Sequence, residues 1–274
     1  MRITTLVENS PNPHHSALIP EHGLSFYIEH RGHTFLSDVG ASDIFAKNAR
    51  LLGLDLARVE ALAITHHHFD HGGGLPHFFE ENQQAKVYMC QSESEDVIVK
   101  SLFKPDWYVG LDQSVLKKYT DRIIYLAENR EILPGVHLLL NIPLLYPKPG
   151  GSKRMKIKIG RKTIEDTFDH EMATVLEGDD GLVLLTGCAH RGVLNMIAAT
   201  KAAFPDLSIK AVIGGFHLVW DNKMRIKQIG KALLESDIPV ISTGHCTGAP
   251  ACSVLKTILG DRFSLMHTGQ VYEF

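Results

Sequence analysis

The feature that most constrains this chain is the run THHHFDH at residues 65–71, in which histidine occupies four of the six positions from 66 onward. It overlaps the apolar run ALAIT at residues 61–65, which is typical of a buried strand. Alternate residues of an extended chain point the same way, so His66 and His68 are predicted to project together and His67 elsewhere. The end of this strand therefore has to hold several imidazoles at once.

Asp70 and His71 add two more potential ligands at the turn into the next predicted helix. Imidazole and carboxylate at this density predict a divalent metal site, and the spacing can serve two ions, with His66 and His68 on one and Asp70 and His71 on the other. Asp70 is also the candidate catalytic residue, since its carboxylate can orient a hydroxide or pass a proton to a leaving group. The alternative is a surface histidine cluster or a tag remnant, but a tag would be terminal and would lack Asp70.

Composition excludes several classes of protein. The 274 residues are 44% hydrophobic and 22% charged, with a net charge of -3, which is typical of a globular chain with a large core and gives no indication of a nucleic-acid partner. We expect no membrane span and no targeting segment, because long apolar runs are missing and the N-terminus soon becomes polar. Four scattered cysteines without a C-x-x-C pair argue against a disulfide framework, so a cytoplasmic location is expected.

Short strand signals alternate with helical ones, which predicts an α/β (α+β) fold. Residues 23–40 predict a hairpin followed by a helix, and residues 171–187 predict a second hairpin followed by a helix and a strand. We interpret the two halves as copies of one unit that pack sheet on sheet with helices outside. This predicts a single domain over residues 1–274, with an insertion or lid at about residues 90–165.

The run THHHFDHGGGL resembles the T-H-x-H-x-D-H signature of the metallo-β-lactamase-like superfamily. The resemblance implies a four-layer αβ/βα sandwich of two packed mixed β-sheets, with the metals at one edge. The stretches PEHGLSFYIE, LLTGCAHRGVLN, IGGFHL and STGHCTG are similar to one branch of that superfamily. It includes the dihydropterin-methyl-ribofuranosylaminobenzene-phosphate synthase of methanogens and dihydropteroate-synthase-related proteins, and it implies displacement of a leaving group rather than opening of a β-lactam.

The resemblance also implies the remaining metal ligands. His245, in the turn GHCTG after a strand, is the expected last ligand. Cys188 stands where the superfamily often has a bridging aspartate, so a second ion is expected either to bind more weakly or to be held by the thiolate. The third histidine of the first ion is His190 or His170. His190 is preferred because the resembling branch keeps a histidine there and usually has an acidic residue in place of His170.

Three other residues are candidates for the surroundings of this site, and His22 is not among them. His217 follows a buried strand and is a candidate pocket residue, the alternative being a satisfied structural histidine. Asp38 resembles the superfamily's acidic residue that accepts a hydrogen bond from a ligating histidine, the alternative being a turn cap. Cys246, beside His245, either supports a ligand or faces the substrate, or it is an inert buried cysteine. His22 is expected to be a surface or packing residue.

One or two divalent ions, zinc ahead of iron or manganese, would make hydroxide available at neutral pH and neutralise charge on a substrate. The sequence therefore predicts a metal-dependent hydrolase acting on a small anionic metabolite, or the pterin-linked transferase that the resembling branch implies. The alternatives are a non-catalytic metal-binding module and a di-iron redox protein, although di-iron relatives carry glutamate in place of His68. A homo-oligomer is left open.

Seven basic residues fall within residues 148–162. The simpler interpretation is a solvated hairpin or loop, because runs of charge usually face water. The alternative is a lid whose lysines and arginines hold the anionic substrate.

Overall fold

The computed structural model describes residues 1–92, 96–100 and 105–274. The strands are β1 (Arg2–Val7), β2 (Ser25–His30), β3 (His33–Ser37), β4 (Ala61–Ala63), β5 (Lys86–Cys90), β6 (Asp96–Val99), β7 (Trp107–Tyr108), β8 (Ile123–Leu126), β9 (Arg130–Leu133), β10 (Val136–Leu139), β11 (Met155–Ile159), β12 (Lys162–Glu165), β13 (Ala173–Gly178), β14 (Gly181–Thr186), β15 (Ile209–Gly215), β16 (Val240–Gly244), β17 (Phe263–Leu265) and β18 (Val271–Glu273). The α-helices are α1 (Ile44–Leu51), α2 (Phe69–Gly72), α3 (Leu75–Glu81), α4 (Gln113–Lys118), α5 (Val193–Ala203), α6 (Lys223–Glu235) and α7 (Ala249–Leu259).

Two seven-stranded mixed sheets carry the fold, in the orders β18-β1-β2-β3-β4-β5-β8 and β17-β16-β15-β14-β13-β10-β9. In the first, the antiparallel pair β2–β3 adjoins the parallel strands β4, β5 and β8. In the second, the antiparallel pair β13–β14 adjoins the parallel strands β15, β16 and β17. Each half thus begins with a hairpin and continues with crossover connections, which place helices on the outer faces.

Three clusters of buried apolar side chains define the layers. One joins the two sheets and includes Phe26 and Phe35 from the first and Leu185 and Ile213 from the second. A second cluster packs the outer face of the first sheet against α1 and α3, and a third packs the second sheet against α5, α6 and α7. The predicted four-layer αβ/βα sandwich is thereby confirmed. That the halves are copies of one unit within a single domain stays a prediction.

The region predicted as an insertion contains a third, smaller sheet, in the order β12-β11-β6-β7. The basic segment, residues 148–162, forms a 3₁₀ turn at Gly150–Arg154 and then most of the β11–β12 hairpin. The same region contains the short helix α4, and its residues 93–95 and 101–104 lie outside the described residues. None of the helices in the described part of the chain is long and apolar enough to cross a bilayer.

Candidate metal centre

The site is built where parallel strands end. The histidine run follows β4, Cys188 and His190 follow β14, His217 follows β15, and His245 follows β16. Carboxyl ends of parallel strands within a sheet share one edge, and the two sheets bring their edges together here. Four turns at this edge are strained, because a non-glycine residue adopts positive φ in each: Asp38, after β3, at 61°, Ala189 at 52°, His217 at 50° and His245 at 46°.

Three histidines form the first donor set, which we call the imidazole trio: His66, His68 and His190. One ring nitrogen of each lies within 4.8 Å of the other two. His66 Nε2 is 3.1 Å from His68 Nδ1, and the His190 ring centroid lies 4.9 Å from that of His66 and 4.8 Å from that of His68. His67 points away, with its Nε2 2.9 Å from the carbonyl oxygen of Cys90. This is the geometry that strand alternation predicts.

The trio fits a divalent cation. All three rings are buried, and burial lowers the pKa of His68 to about 3 and holds the pKa values of His66 and His190 well below the usual range. They are therefore neutral imidazoles, the form that ligates metals. The buried Nε2 of His190 has no hydrogen-bond partner among the described residues, and a metal ion would satisfy that atom.

A second donor set, which we call the mixed quartet, consists of Asp70, His71, Cys188 and His245. His71 Nε2 lies 3.2 Å from both Cys188 Sγ and His245 Nε2, and Cys188 Sγ lies 3.4 Å from His245 Nε2. Asp70 Oδ2 is 3.3 Å from His245 Nε2. The thiol predicted to replace a bridging carboxylate therefore lies directly among the other donors.

The quartet attracts positive charge. Burial alone would raise the pKa of Asp70, but His71, His22 and His245 hold it well below its usual range, so the group is a carboxylate. Burial alone would lower the pKa of His245, but the Cys246 sulfur and the Asp70 carboxylate raise it to about 9. The same anionic surroundings would favour a metal ion, and binding the ion would displace the His245 proton.

Neighbouring polar groups orient the donor rings. Asp38 Oδ2 is 2.7 Å from His71 Nδ1 and also accepts a hydrogen bond from Thr65 Oγ1 at 2.8 Å. Thr65 Oγ1 in turn lies 3.0 Å from His66 Nδ1, so the Asp38 carboxylate is linked to both donor sets. Asn9 Oδ1 lies 2.9 Å from His245 Nδ1. Such contacts fix the ring orientation and leave the other nitrogen for a metal.

His170, the alternative third ligand, is not brought to His66 and His68. Its Nε2 lies 3.1 Å from Asp166 Oδ2, and its Nδ1 accepts a hydrogen bond from the backbone N–H of His67 at 3.3 Å. His190 takes the place in the trio instead, because the sharp turn after β14 directs its ring inward.

His22 lies at the surface, as the sequence indicated, but its contacts with the site were not predicted. Its ring is partly exposed, but Nε2 lies 3.3 Å from Asp70 Oδ2 and its ring centroid 5.0 Å from that of His245. The stretch PEHGLSFYIE, which contains His22, carries part of the family resemblance and was the available signal. Asn9 and Ser152 gave no such signal, yet Ser152 Oγ donates to the carbonyl oxygen of His190 at 3.0 Å.

His217 and Cys246 both border the site. The backbone N–H of His217 donates to Cys246 Sγ at 3.3 Å, and the rings of His217 and His190 have centroids 4.1 Å apart. Both ring nitrogens of His217 are buried without a hydrogen-bond partner among the described residues. The ring of His217 thus has no structural hydrogen bond in the described part of the chain, and its role as a pocket residue stays a prediction.

A cavity of about 1180 Å³ opens above both donor sets. Its floor includes His68, Asp70, Cys188, His190 and His245. The cavity is also bordered by two exposed indoles, those of Trp107 and Trp220. Three cationic side chains border it as well, namely Lys100, Arg154 and Lys256. An apolar cavity with a few convergent polar groups is the usual form of a small-molecule site.

Comparison with known proteins places this geometry in a family. A family model described as the metallo-beta-lactamase superfamily matches residues 18–192. The 7,8-dihydropterin-6-methyl-4-(beta-D-ribofuranosyl)-aminobenzene-5'-phosphate synthase of Methanocaldococcus jannaschii is 26% identical over 291 residues, which cover 100% of this chain and 97% of the synthase. An uncharacterized protein of the same organism is 26% identical over 277 residues, with 98% of each chain covered.

The solved structure of Tm1679, a metal-dependent hydrolase of the beta-lactamase superfamily, superimposes with a TM-score of 0.87 at 29% identity. The alignment covers 100% of this chain and 99% of that one. Zinc-bound PqqB from Methylobacterium extorquens, at 14% identity and a TM-score of 0.60 with 100% of both chains covered, shares the fold. The predicted resemblance is confirmed, and the chain belongs to the metallo-beta-lactamase superfamily.

Proposed function

We propose that this chain is a metal-dependent hydrolase that acts on a small anionic substrate. The observation that carries the proposal is that two adjacent sets of buried metal donors meet at the floor of one large cavity. A purely structural metal is closed off by its ligands, whereas a catalytic one keeps a position open to substrate. The cavity above the donors therefore argues against a non-catalytic metal-binding module, and His68 argues against a di-iron redox protein.

The imidazole trio would hold the first ion and the mixed quartet the second. Zinc is the proposed metal, because imidazole and thiolate donors suit zinc better than manganese, and iron is the next choice. A divalent ion bound here would lower the pKa of a water molecule and neutralise charge on a substrate oxygen.

The chain's own polar residues have distinct parts in this chemistry. Asp70, ionised and 3.3 Å from His22 Nε2, would orient a water by accepting its hydrogen bond. His22 is partly exposed and borders the cavity, so it can exchange protons with solvent. The apolar walls would exclude bulk water from the reacting groups.

A transferase of the dihydropterin synthase type is the second candidate. The synthase that resembles this chain along nearly its full length supports it. The cavity supports it too, since about 1180 Å³ exceeds the roughly 300 to 1,000 Å³ usual for one small ligand and leaves room for two reactants. A pterin pyrophosphate would carry both the flat ring and the leaving group that such a reaction needs.

Metal analysis joined to activity assays tests both candidates. Purified protein should contain zinc or iron, and removing the metal should abolish turnover that returns on adding it back. The substrate panel should include phosphoesters, lactones and pterin pyrophosphates, the last with and without an aromatic amine as acceptor. Release of product from a single substrate supports the hydrolase, and turnover only with the acceptor supports the transferase. A metal-free protein, or full activity without metal, contradicts the proposal.

Location and assembly are also proposals. All four cysteines, Cys90, Cys188, Cys246 and Cys252, are free and buried, which suits a reducing compartment such as the cytoplasm. A homo-oligomer stays a prediction, and light scattering of the purified chain would test it.

A further inference from the structure

His217 is a deeply buried polar side chain that borders the cavity and that the proposed chemistry does not use. It is 6% exposed, and neither Nδ1 nor Nε2 has a hydrogen-bond partner among the described residues. Burying ring nitrogens without hydrogen-bond partners is unfavourable, because they lose their hydrogen bonds to water and gain none in return. Something that binds in the cavity is expected to satisfy them.

A metal ion is the first candidate for that partner. Cys188, His190 and His217 each offer a donor atom within 4.8 Å of the other two. Cys188 already belongs to the mixed quartet and His190 to the imidazole trio, so a third ion would have to share both. Three divalent ions packed so closely would repel one another strongly. We therefore expect the substrate, and not a third ion, to be the hydrogen-bond partner of the His217 ring.

The basic segment, residues 148–162, lies directly against this ring. A Cβ at Gly151 would lie 2.9 Å from His217 Nε2 and 2.5 Å from Trp220 Cδ1, so only glycine fits there without a shift. Three residues later, the guanidinium of Arg154 lies over the Trp220 ring, 4.9 Å from its centroid. The 3₁₀ turn at Gly150–Arg154 thus connects the histidine and the arginine through the same indole.

Arg154 is available to a ligand. It borders the cavity and has no ion pair with a carboxylate in the described part of the chain. Lys148 and Lys153 of the same segment are less available to a ligand in the cavity. Lys148 pairs with Glu165 at 3.1 Å, and Lys153 does not border the cavity. Stacking on an indole holds the planar guanidinium in a fixed orientation, which leaves its N–H groups free to donate in pairs.

We propose that His217 and Arg154 form a subsite for an oxyanion of the substrate, either a phosphoryl or a carboxylate group. The proposal rests on the proposed function, because it places the anionic group of that substrate beside the imidazole trio. His217 donates one hydrogen bond from its ring, and Arg154 donates a pair from its guanidinium. The substrate is therefore a small molecule that carries its oxyanion close to the bond that reacts.

Phenyl phosphate and benzoate are suitable probes, since they share a ring and differ in the oxyanion. Their affinities for zinc-loaded protein would be measured by isothermal titration calorimetry for wild type and the variants His217→Ala and Arg154→Ala. Each variant should weaken binding of the preferred probe about tenfold or more, the usual effect of losing a hydrogen bond to a charged group. Arg154→Lys should fall between, and Lys153→Ala, the matched control outside the cavity, should change nothing.

Metal content separates this proposal from the proposed function. Zinc per chain should be unchanged in His217→Ala, and its loss there would make His217 a ligand and overturn the subsite. Unchanged affinity for both probes, or no binding of either to wild type, also overturns it while leaving a metal-loaded protein intact.

If His217→Ala does not fold, His217→Asn keeps a donor and Arg154→Ala alone decides. A wild-type protein without metal instead refutes the proposed function. Weakening with phenyl phosphate only, or with benzoate only, identifies the oxyanion.

Discussion

The imidazole trio and the mixed quartet lie side by side yet differ in charge. The trio offers three neutral rings, whose pKa values burial lowers. The quartet combines two rings with a carboxylate and a thiol, and its surroundings raise the pKa of His245 to about 9. A cation entering the quartet gains from negative charge already present, whereas one entering the trio gains only from ring dipoles and lone pairs.

This difference in charge indicates that the two sets bind their ions with different strength. We expect the quartet to retain its ion more tightly and the trio, with three donors and a position facing the cavity, to expose its ion to substrate. Both sets depend on Asp38, which contacts His71 directly and His66 through Thr65. Variants of these residues and of the basic segment test this assignment.

The largest effect is expected from removing a trio ligand. His66→Ala should leave the first ion unbound and reduce turnover about a thousandfold or more, because several kcal/mol of charge stabilisation disappear. Metal per chain, measured by mass spectrometry of the purified protein, should fall by one equivalent. His67→Ala is the matched control, because that ring is equally buried but points to Cys90. Equal metal loss in the two variants would show that the trio is wrongly assigned.

Removing the thiol should mainly affect the quartet. Cys188→Ser should weaken one ion about a hundredfold, since a hydroxyl is a much poorer ligand for zinc than a thiolate. Competition with a chromophoric chelator would measure this as an earlier release step. Cys90→Ser serves as the control, because Cys90 is buried away from the donors. Identical release curves for all three proteins would exclude Cys188 as a ligand.

Residues that orient the rings should have intermediate effects. Asp38→Asn should weaken both release steps about 10- to 100-fold, the range usual for groups that hold a ligating histidine. Asn9→Ala should weaken only the quartet step, and by less, because its contact with His245 is made by a neutral amide. The same chelator titration measures both variants. A change confined to one step in Asp38→Asn would break the link between the two sets.

The smallest effect is expected from the lysines of the basic segment that do not border the cavity. The double variant Lys153→Ala/Lys156→Ala should leave KM within about twofold of wild type, because neither side chain borders the cavity and exposed charges are screened. Steady-state kinetics on the substrate found by the panel would measure it. A large rise in KM would mean that the whole segment, and not Arg154 alone, meets the substrate.

Much of the fold could be predicted because hydrophobic pattern and turn residues are local signals. The hairpins at β2–β3 and β13–β14 and the strand before the histidine run all lie where the pattern indicated. The opposite directions of His66 and His67 follow from the two-residue period of an extended chain alone. The small third sheet could not be predicted, since its strands pair across residues 96–165 and one of them is only two residues long.

The parts of the site that could not be predicted depend on distant segments meeting. His22, between β1 and β2, reaches Asp70 after β4 of the same sheet, whereas Asn9 reaches His245 after β16 of the other sheet. The choice between His190 and His170 depends on a single turn after β14, where spacing along the chain favours neither. Periodicity gives the direction of a side chain within an element but not which other element it faces.

The turn at Ala189 has a consequence for anyone who engineers this protein. Ala189 separates Cys188 from His190 with a φ of 52°, a conformation that costs an alanine on the order of 1 kcal/mol and a glycine almost nothing. Ala189→Gly would relieve that strain, but it would also remove a methyl group buried in the core and give the unfolded chain more conformational freedom, so we expect little net change in the free energy of unfolding. The same change would let the thiol of one donor set drift relative to the ring of the other. Alanine at this position therefore fixes the spacing between the two donor sets, although its backbone conformation is strained.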